Sequence, residues 1–319
     1  MRLKLKGGSI MNNRRRFIKQ MLSGGAAMLT VPAFASNKNA EKITILHTND
    51  LHSRIEPFSD RDPKYANLGG LSRLSTMVDS IRSTEKNVVL LDAGDIFQGT
   101  PYFNLFGGEL EFKLMSNMQY DASTLGNHDF DNGINGLVDQ LPHAKFPFIN
   151  CNYDFKNSRL NEHVQPYKII DKSGIRIGLL GVGIELEGLV DKKNYGDIIY
   201  LDPIENVNRV AAYLKTDKKC DLVICLSHLG YKYDNSDIVS DIHLASKTKN
   251  IDLIIGGHTH TFFEKPLKIK NLDKKKILIN QVGWAGINLG RIDFYVDKIS
   301  GDTEFAGKNL IVNSLVQLT

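Results

Sequence analysis

Short β-branched apolar runs alternate with amphipathic segments along most of this chain. Lys42-Ile43-Thr44-Ile45-Leu46 predicts a buried first strand and Val88-Val89-Leu90-Leu91 a second. Between them, residues 56–67 read as a polar surface loop, and Gly69-Gly70 opens a helix to about Arg82. Leu71, Leu74, Met77, Val78 and Ile81 share one face of that helix. Further helices are predicted near residues 109–119 and 204–215. Further strands are predicted over residues 146–149, 176–180, 222–226, 253–255, 277–282 and 290–296. Such alternation describes a layered α/β domain, without internal repeat, low-complexity tract or interdomain linker. The later part, poorer in helix and carrying Gly283-Trp284-Ala285-Gly286, predicts a second sheet packed on the first.

Five of the apolar runs end in the same kind of polar cargo. These are Asp50-x-His52, Gly94-Asp95, Gly126-Asn127-His128-Asp129, His228 and Gly257-His258-x-His260. Alternate positions of an extended segment point to one side, so Asp50 with His52, and His258 with His260, can each straddle one site. The neighbouring glycines permit tight turns and close approach. Carboxylates, imidazoles and one amide, without thiolate, suit zinc, manganese or iron. Asp50, His52, Asp95, Asn127, His228, His258 and His260 are too many for one ion and divide into two sites sharing a carboxylate. Two ions about 3.5–4 Å apart clamp the oxygens of a phosphoryl group, which points to hydrolysis of a phosphate ester. His128 offers a ring nitrogen for proton transfer, and Asp131, three residues on, can orient it. His47 reads as a packed core residue, His143, His163 and His243 as surface residues, Arg73 as a solvated helix residue, and Trp284 as core or site rim.

Charge changes the picture at the N-terminus only. The net charge is +4, from 40 basic and 36 acidic residues. Arg2, Lys4, Lys6, Arg14, Arg15, Arg16 and Lys19 all fall in residues 1–35, which hold no acid, so the remainder is slightly acidic. That balance excludes a nucleic-acid polymer as the expected partner. The leader reads basic, then mildly apolar from Met21 to Val31, then Ala33-Phe34-Ala35 before Ser36: an export signal. Arg14-Arg15-x-Phe17-Ile18-Lys19 resembles the twin-arginine signal. The apolar run is too short for a membrane anchor, and no Cys near Ala35 offers a lipid attachment. The expected organisation is an export signal over 1–35 and a catalytic domain over 36–319, working in the periplasm or otherwise outside the cytoplasm. Met1 and Met11 are equally good starts. Cys151, Cys220 and Cys225 read as core thiols rather than a disulfide framework, with Cys220 and Cys225 expected on opposite strand faces.

Taken in order, the five clusters resemble the calcineurin-like metallophosphoesterase superfamily over about residues 43–296. His47-Thr48-Asn49-Asp50-Leu51-His52, Gly94-Asp95-Ile96-Phe97-Gln98-Gly99-Thr100-Pro101 and Gly126-Asn127-His128-Asp129-Phe130-Asp131 resemble its 5'-nucleotidase and 2',3'-cyclic phosphodiesterase branch. The resemblance implies a four-layer α/β/β/α sandwich with two mixed β-sheets and metals at the strands' C-terminal ends. It also implies that Asp50, His52, Asp95 and His260 bind one ion, and Asp95, Asn127, His228 and His258 the other, with Asp95 bridging. His128, oriented by Asp131, would stabilise the transition state or help the leaving oxygen depart. Two-domain members carry a C-terminal domain that stacks the nucleobase, and this sequence stops at Thr319, where the catalytic domain would end. The expectation is therefore a nucleotide phosphoesterase served by a separate C-terminal-type chain, or one of broad range. Two alternatives stay open: a thiosulfohydrolase-like reaction on the same site, and a metal-binding module without catalysis.

Overall fold

Period-two alternation along the apolar runs builds two large sheets and divides the interior into three apolar layers. The structure is a computed structural model and describes residues 39–235 and 238–314. The expected export signal lies outside the described residues.

The first strand, β1 (Ala40–Thr48), is central in a seven-stranded sheet. It pairs in parallel with β2 (Val88–Asp92) and antiparallel with β14 (Asn288–Asp297). β15 (Thr303–Ile311) forms one edge, while β3 (Ala122–Ser123), β4 (Phe148–Ile149) and β6 (Val164–Gln165) extend the other. The second sheet runs β12 (Leu267–Lys270), β13 (Lys276–Asn280), β11 (Leu253–Gly256), β10 (Leu222–His228), β8 (Ile175–Gly183), β7 (Tyr167–Lys172). It is also mixed, since β8 is parallel to β10 and antiparallel to β7. A small ribbon joins β5 (Tyr153–Asp154) to β9 (Ile199–Tyr200).

Alternate residues explain the layering. Ile43, Ile45, Val89 and Leu91 face Ile177, Leu179, Ile224 and Ile255 between the sheets. Their neighbours Leu46 and Leu90 face outward, onto Leu71, Leu74, Val78 and Ile81 of the helix Leu71–Thr84. On the far side, Leu180, Val182, Val223 and Ile254 pack under Val207, Val210 and Leu214 of the helix Pro203–Thr216. Helix, sheet, sheet and helix form the four expected layers. Pro203 at the first helical position and Asp202, whose carboxylate accepts from Glu205 N at 2.8 Å, start that helix.

All three cysteines are free and buried. The expectation of opposite faces for two of them fails: Cys220 and Cys225 both join the layer under the helix Pro203–Thr216. Cys220 precedes the strand, and its backbone N–H donates to Leu214 O at the helix end, so strand alternation does not apply to it.

Candidate metal centre

Parallel strands share a polarity, and here that places the polar clusters together. Thr48 pairs with Asp92, Asp92 with Ser123, and Ser227 with Gly256, so β1, β2, β3, β10 and β11 end at one edge of the sandwich. Just beyond, the chain turns sharply. Asp50 (φ 50°), His52 (φ 49°), Asp95 (φ 54°), His258 (φ 69°) and His260 (φ 50°) all take left-handed backbone conformations. Each such residue other than glycine costs about 1–3 kcal/mol, so five of the seven candidate ligands sit on strained backbone.

The side chains converge in two groups, Asp50 with His52 and His260, and Asp95 with His228 and His258. Within each group one donor atom per residue lies within 4.8 Å of the others. His52 Nε2 stands 3.0 Å from His260 Nε2, and His260 Nε2 stands 3.3 Å from Asp50 Oδ1. Asp95 Oδ2 lies 3.0 Å from His228 Nε2 and 3.9 Å from His52 Nε2, so this carboxylate reaches both groups. Asp50 Oδ1 is likewise 3.9 Å from His228 Nε2. Asn127 Oδ1 joins the second group at 2.8 Å from His258 Nδ1.

This donor set fits divalent cations. His228 Nδ1 faces Ala93 O at 2.7 Å, and a proton on Nδ1 leaves the Nε2 lone pair directed at Asp95. That Nε2 is buried and makes no hydrogen bond among the described residues, despite its closeness to Asp95. His52 Nδ1 similarly faces the carbonyls of Phe97 and Gln98 at 3.3 and 3.1 Å, leaving Nε2 inward. Burial opposes charge on His228, yet the adjacent Asp95 carboxylate prevails and lifts it to about 10, while Asp95 is held well below the usual carboxylate range. A positive charge between these groups is favoured, and a divalent ion bound there would displace the second proton from Nε2 and take its lone pair. Burial instead lowers His52, and lowers His258 to about 4 with help from His228. Close packing leaves room for little else: a Cβ at Gly94 (φ 87°) would lie 2.6 Å from Gly126 N, and one at Gly126 would strike Asp95.

Three buried polar side chains brace the loops, and the sequence reading did not assign them. Asp129 accepts backbone N–H bonds from Asp95 at 3.1 Å, Ile96 at 2.9 Å, Phe97 at 3.2 Å and Gly126 at 2.8 Å, joining the two loops that carry Asp95 and Asn127. Gln281 accepts from Thr261 N and Thr259 Oγ1 and donates to Gly257 O, bracing the loop of His258 and His260. Asn49 accepts from Val282 N at 2.9 Å and donates to Gly283 O at 2.6 Å and to Asp50 Oδ2. Asp129 and Asn49 were visible as motif residues. Gln281 lies at least 20 residues in sequence from its partners and gave no local signal.

His128 stands beside the two groups rather than in them. Its Nδ1 lies 2.8 Å from Asp131 Oδ2, its backbone N–H donates to Asp95 Oδ1 at 2.8 Å, and its ring is 5.3 Å from that of His52. The bond to Asp131 raises its pKa. With 38% of its side chain exposed, His128 has Nε2 free to meet a ligand. Trp284 is half-buried at the rim, stacked on His260 at 5.6 Å and 5°. His47 is the expected core residue, fully buried with Nε2 2.8 Å from Asn280 Nδ2 and its pKa lowered by burial to about 3. His163 is exposed, whereas His143 and His243 are half-buried. His243 Nδ1 is occupied by Ile238 O at 3.1 Å, inside a local turn rather than on open surface. Arg73 donates to Asn67 O at 2.7 Å.

The family model of calcineurin-like phosphoesterases matches residues 43–262. Snake venom 5'-nucleotidase of Crotalus adamanteus is 32% identical over 293 residues, covering 85% of this chain and 48% of that protein. The 5'-nucleotidase of Homo sapiens is 31% identical over 298 residues, covering 87% of this chain and 50% of that protein. Among solved structures, a 5'-nucleotidase precursor from Thermus thermophilus superposes with a TM-score of 0.78 at 30% identity, over 86% of this chain and 55% of that one. The NAD nucleotidase of Haemophilus influenzae gives 0.74 at 27% identity, over 86% and 51%. The chain spans about half the length of these relatives.

Proposed function

Because the chain belongs to the calcineurin-like phosphoesterase family, we propose that it is a metal-dependent phosphoester hydrolase of the 5'-nucleotidase type, acting on nucleotides outside the cytoplasm. The observation that supports this most is the pair of donor groups at one sheet edge, with the Asp95 carboxylate within reach of both. Asp50, His52, Asp95 and His260 would hold one divalent ion, and Asp95, Asn127, His228 and His258 the other. Bound there, two such ions lower the pKa of water and withdraw charge from phosphoryl oxygens.

The protein's own groups then have separate tasks. A water oxygen forms the new bond to phosphorus in line with the ester oxygen, whose bond to phosphorus breaks; one proton of that water passes to solvent and the other stays on the released phosphate. His128, whose protonated form the Asp131 carboxylate favours, would give the Nε2 proton to the departing alkoxide, which leaves as the free alcohol. Asp129, Gln281 and Asn49 fix the loops, so little reorganisation is needed during the reaction.

Nucleotide substrates are supported by the names of the relatives, and export by the leader motif. No helix among the described residues is long and apolar enough to cross a membrane. A separate chain of the C-terminal nucleotidase type is the proposed partner for nucleobase recognition. The test is hydrolysis by the full chain of phenyl phosphate, nucleoside monophosphates and a thiosulfonate, before and after dialysis against chelator. Phosphate release that disappears with the metal and returns on adding zinc, manganese or iron is expected. Chelator-insensitive hydrolysis, or turnover of the thiosulfonate alone, would overturn the reading.

A further inference from the structure

His260 lacks a support that other histidines of the centre have. A histidine that binds a metal through one ring nitrogen is ordinarily fixed by a hydrogen bond from the other. His52 Nδ1 has the carbonyls of Phe97 and Gln98 for this, and His228 Nδ1 has Ala93 O. His260 turns Nε2 toward His52 and Asp50, and its Nδ1 has no hydrogen-bond partner among the described residues. Its side chain is also 38% exposed, against 8% for His52 and 0% for Asp50, on backbone at φ 50°. What the ring does meet is the face of Trp284, nearly parallel at 5° and 5.6 Å between centroids, a favoured stacking geometry.

Trp284 is itself firmly placed. The buried rings of Phe58 and Tyr65 meet its indole at 5.6 Å and 6.1 Å, steeply inclined at 72° and 76°. Its loop is tied to the loops of two ligands. Gly283 N–H donates to Thr261 O at 3.0 Å, one residue past His260, and Ala285 N–H donates to Asp50 O at 2.7 Å. Gly283 takes φ 82°, and a Cβ there would strike the Phe262 ring, which keeps the turn on this path. Among the described residues, the only candidate ligands in ring contact with Trp284 are His260 and, at 6.3 Å, His52, both of the Asp50 group.

We propose that Trp284 is a positioning residue for His260. The indole face does for this ring what a carbonyl at Nδ1 does for His52 and His228, so the ion of the Asp50 group depends on Trp284 and the ion of the Asp95 group does not. The inference rests on the two-ion part of the phosphoesterase reading, and it gives the chain's single Trp a task beyond lining the rim.

The test is zinc binding by the full chain after chelator treatment, comparing wild type with Trp284→Leu, Trp284→Phe and His260→Ala, each checked for folding by circular dichroism. Trp284→Leu keeps apolar volume against Phe58 and Tyr65 but removes the flat face. In competition with a chromophoric chelator it is expected to weaken one of two ions about tenfold, within the range that loss of such an outer partner causes, and to leave the other unchanged. Trp284→Phe restores a face and should bind both ions nearly as wild type does. With one Trp in the chain, indole emission reports the same contact. Zinc should change that emission in the wild type, and in His260→Ala the change should vanish while one ion still binds. Unchanged affinities in Trp284→Leu, equal weakening of both ions, or an emission change that persists in His260→Ala overturns the proposal. Any of these in a chain that binds two ions leaves the phosphoesterase reading standing, whereas a wild-type chain that binds fewer than two overturns both.

Discussion

Asn127 and His128 are adjacent in sequence and face different tasks. Asn127 turns its amide oxygen to His258, whereas His128 is pinned by Asp131 and left partly open. His128→Ala is therefore expected to lower kcat by about 10²–10⁴-fold while bound metal stays unchanged, as kinetics and elemental analysis on one preparation would show. Retention of the full rate would contradict the proton-donor role. Asp129 makes a second prediction. Its carboxylate only accepts, and it faces four backbone N–H groups. Asp129→Asn places an NH₂ against some of them, so metal affinity is expected to fall about 10–100-fold in chelator competition, with the fold intact by circular dichroism. Unaltered affinity would show that the brace is dispensable. At this scale the residue types were legible, because carboxylates, imidazoles and an amide after apolar runs have few other uses in concert. The left-handed backbone at Asp50, His52, Asp95, His258 and His260 was not, since their strain is maintained by contacts such as Gln281 to Gly257 that no local pattern records.

Among the elements, buried strands were easiest to read: β2 and β10 carry continuous apolar runs, while in β1 and β14 apolar residues such as Ile43, Ile45, Ile292, Phe294 and Val296 recur at alternate positions. β7 and β12 are edge strands without a buried apolar run, β12 only four residues long, and the helix Pro101–Phe106 is a short segment between glycines, so all three are too brief or too exposed to stand out. The helix Asp241–Lys247 was missed as well, and its first residue has a consequence for stability. Asp241 is fully buried, its Oδ1 accepts from Ser227 Oγ at 2.6 Å, and its Oδ2 has no partner among the described residues. Burial lifts its pKa to about 7; the Ser227 hydroxyl and His228 oppose that rise, and Asp50 adds to it. The folded chain thus keeps a proton that the unfolded chain, with an ordinary carboxyl near pKa 3.9, has released. Stability from this group falls as pH rises from about 4 to about 7 and is level beyond. Asp241→Asn is expected to flatten that part of the curve, read from urea midpoints across the interval. Parallel curves for the two proteins would refute the assignment.

For the molecule as a whole, the layered fold followed from alternation of apolar positions. The meeting of its two sheets at one polar edge depends on parallel pairing between strands more than forty residues apart in sequence, as β1 with β2. What the apolar pattern left unread includes the cavity between the end of β8 and the helix turn at Lys192, which is assembled from segments without motif character. Two ions held by one cluster are the core of the proposed chemistry, and counting them tests it most directly. Elemental analysis of catalytically active full-length chain should find about two divalent ions per chain, falling to about one in both His258→Ala and His260→Ala, with ester hydrolysis lost in each. Active protein holding one ion or none, or either variant hydrolysing at the wild-type rate, would contradict it.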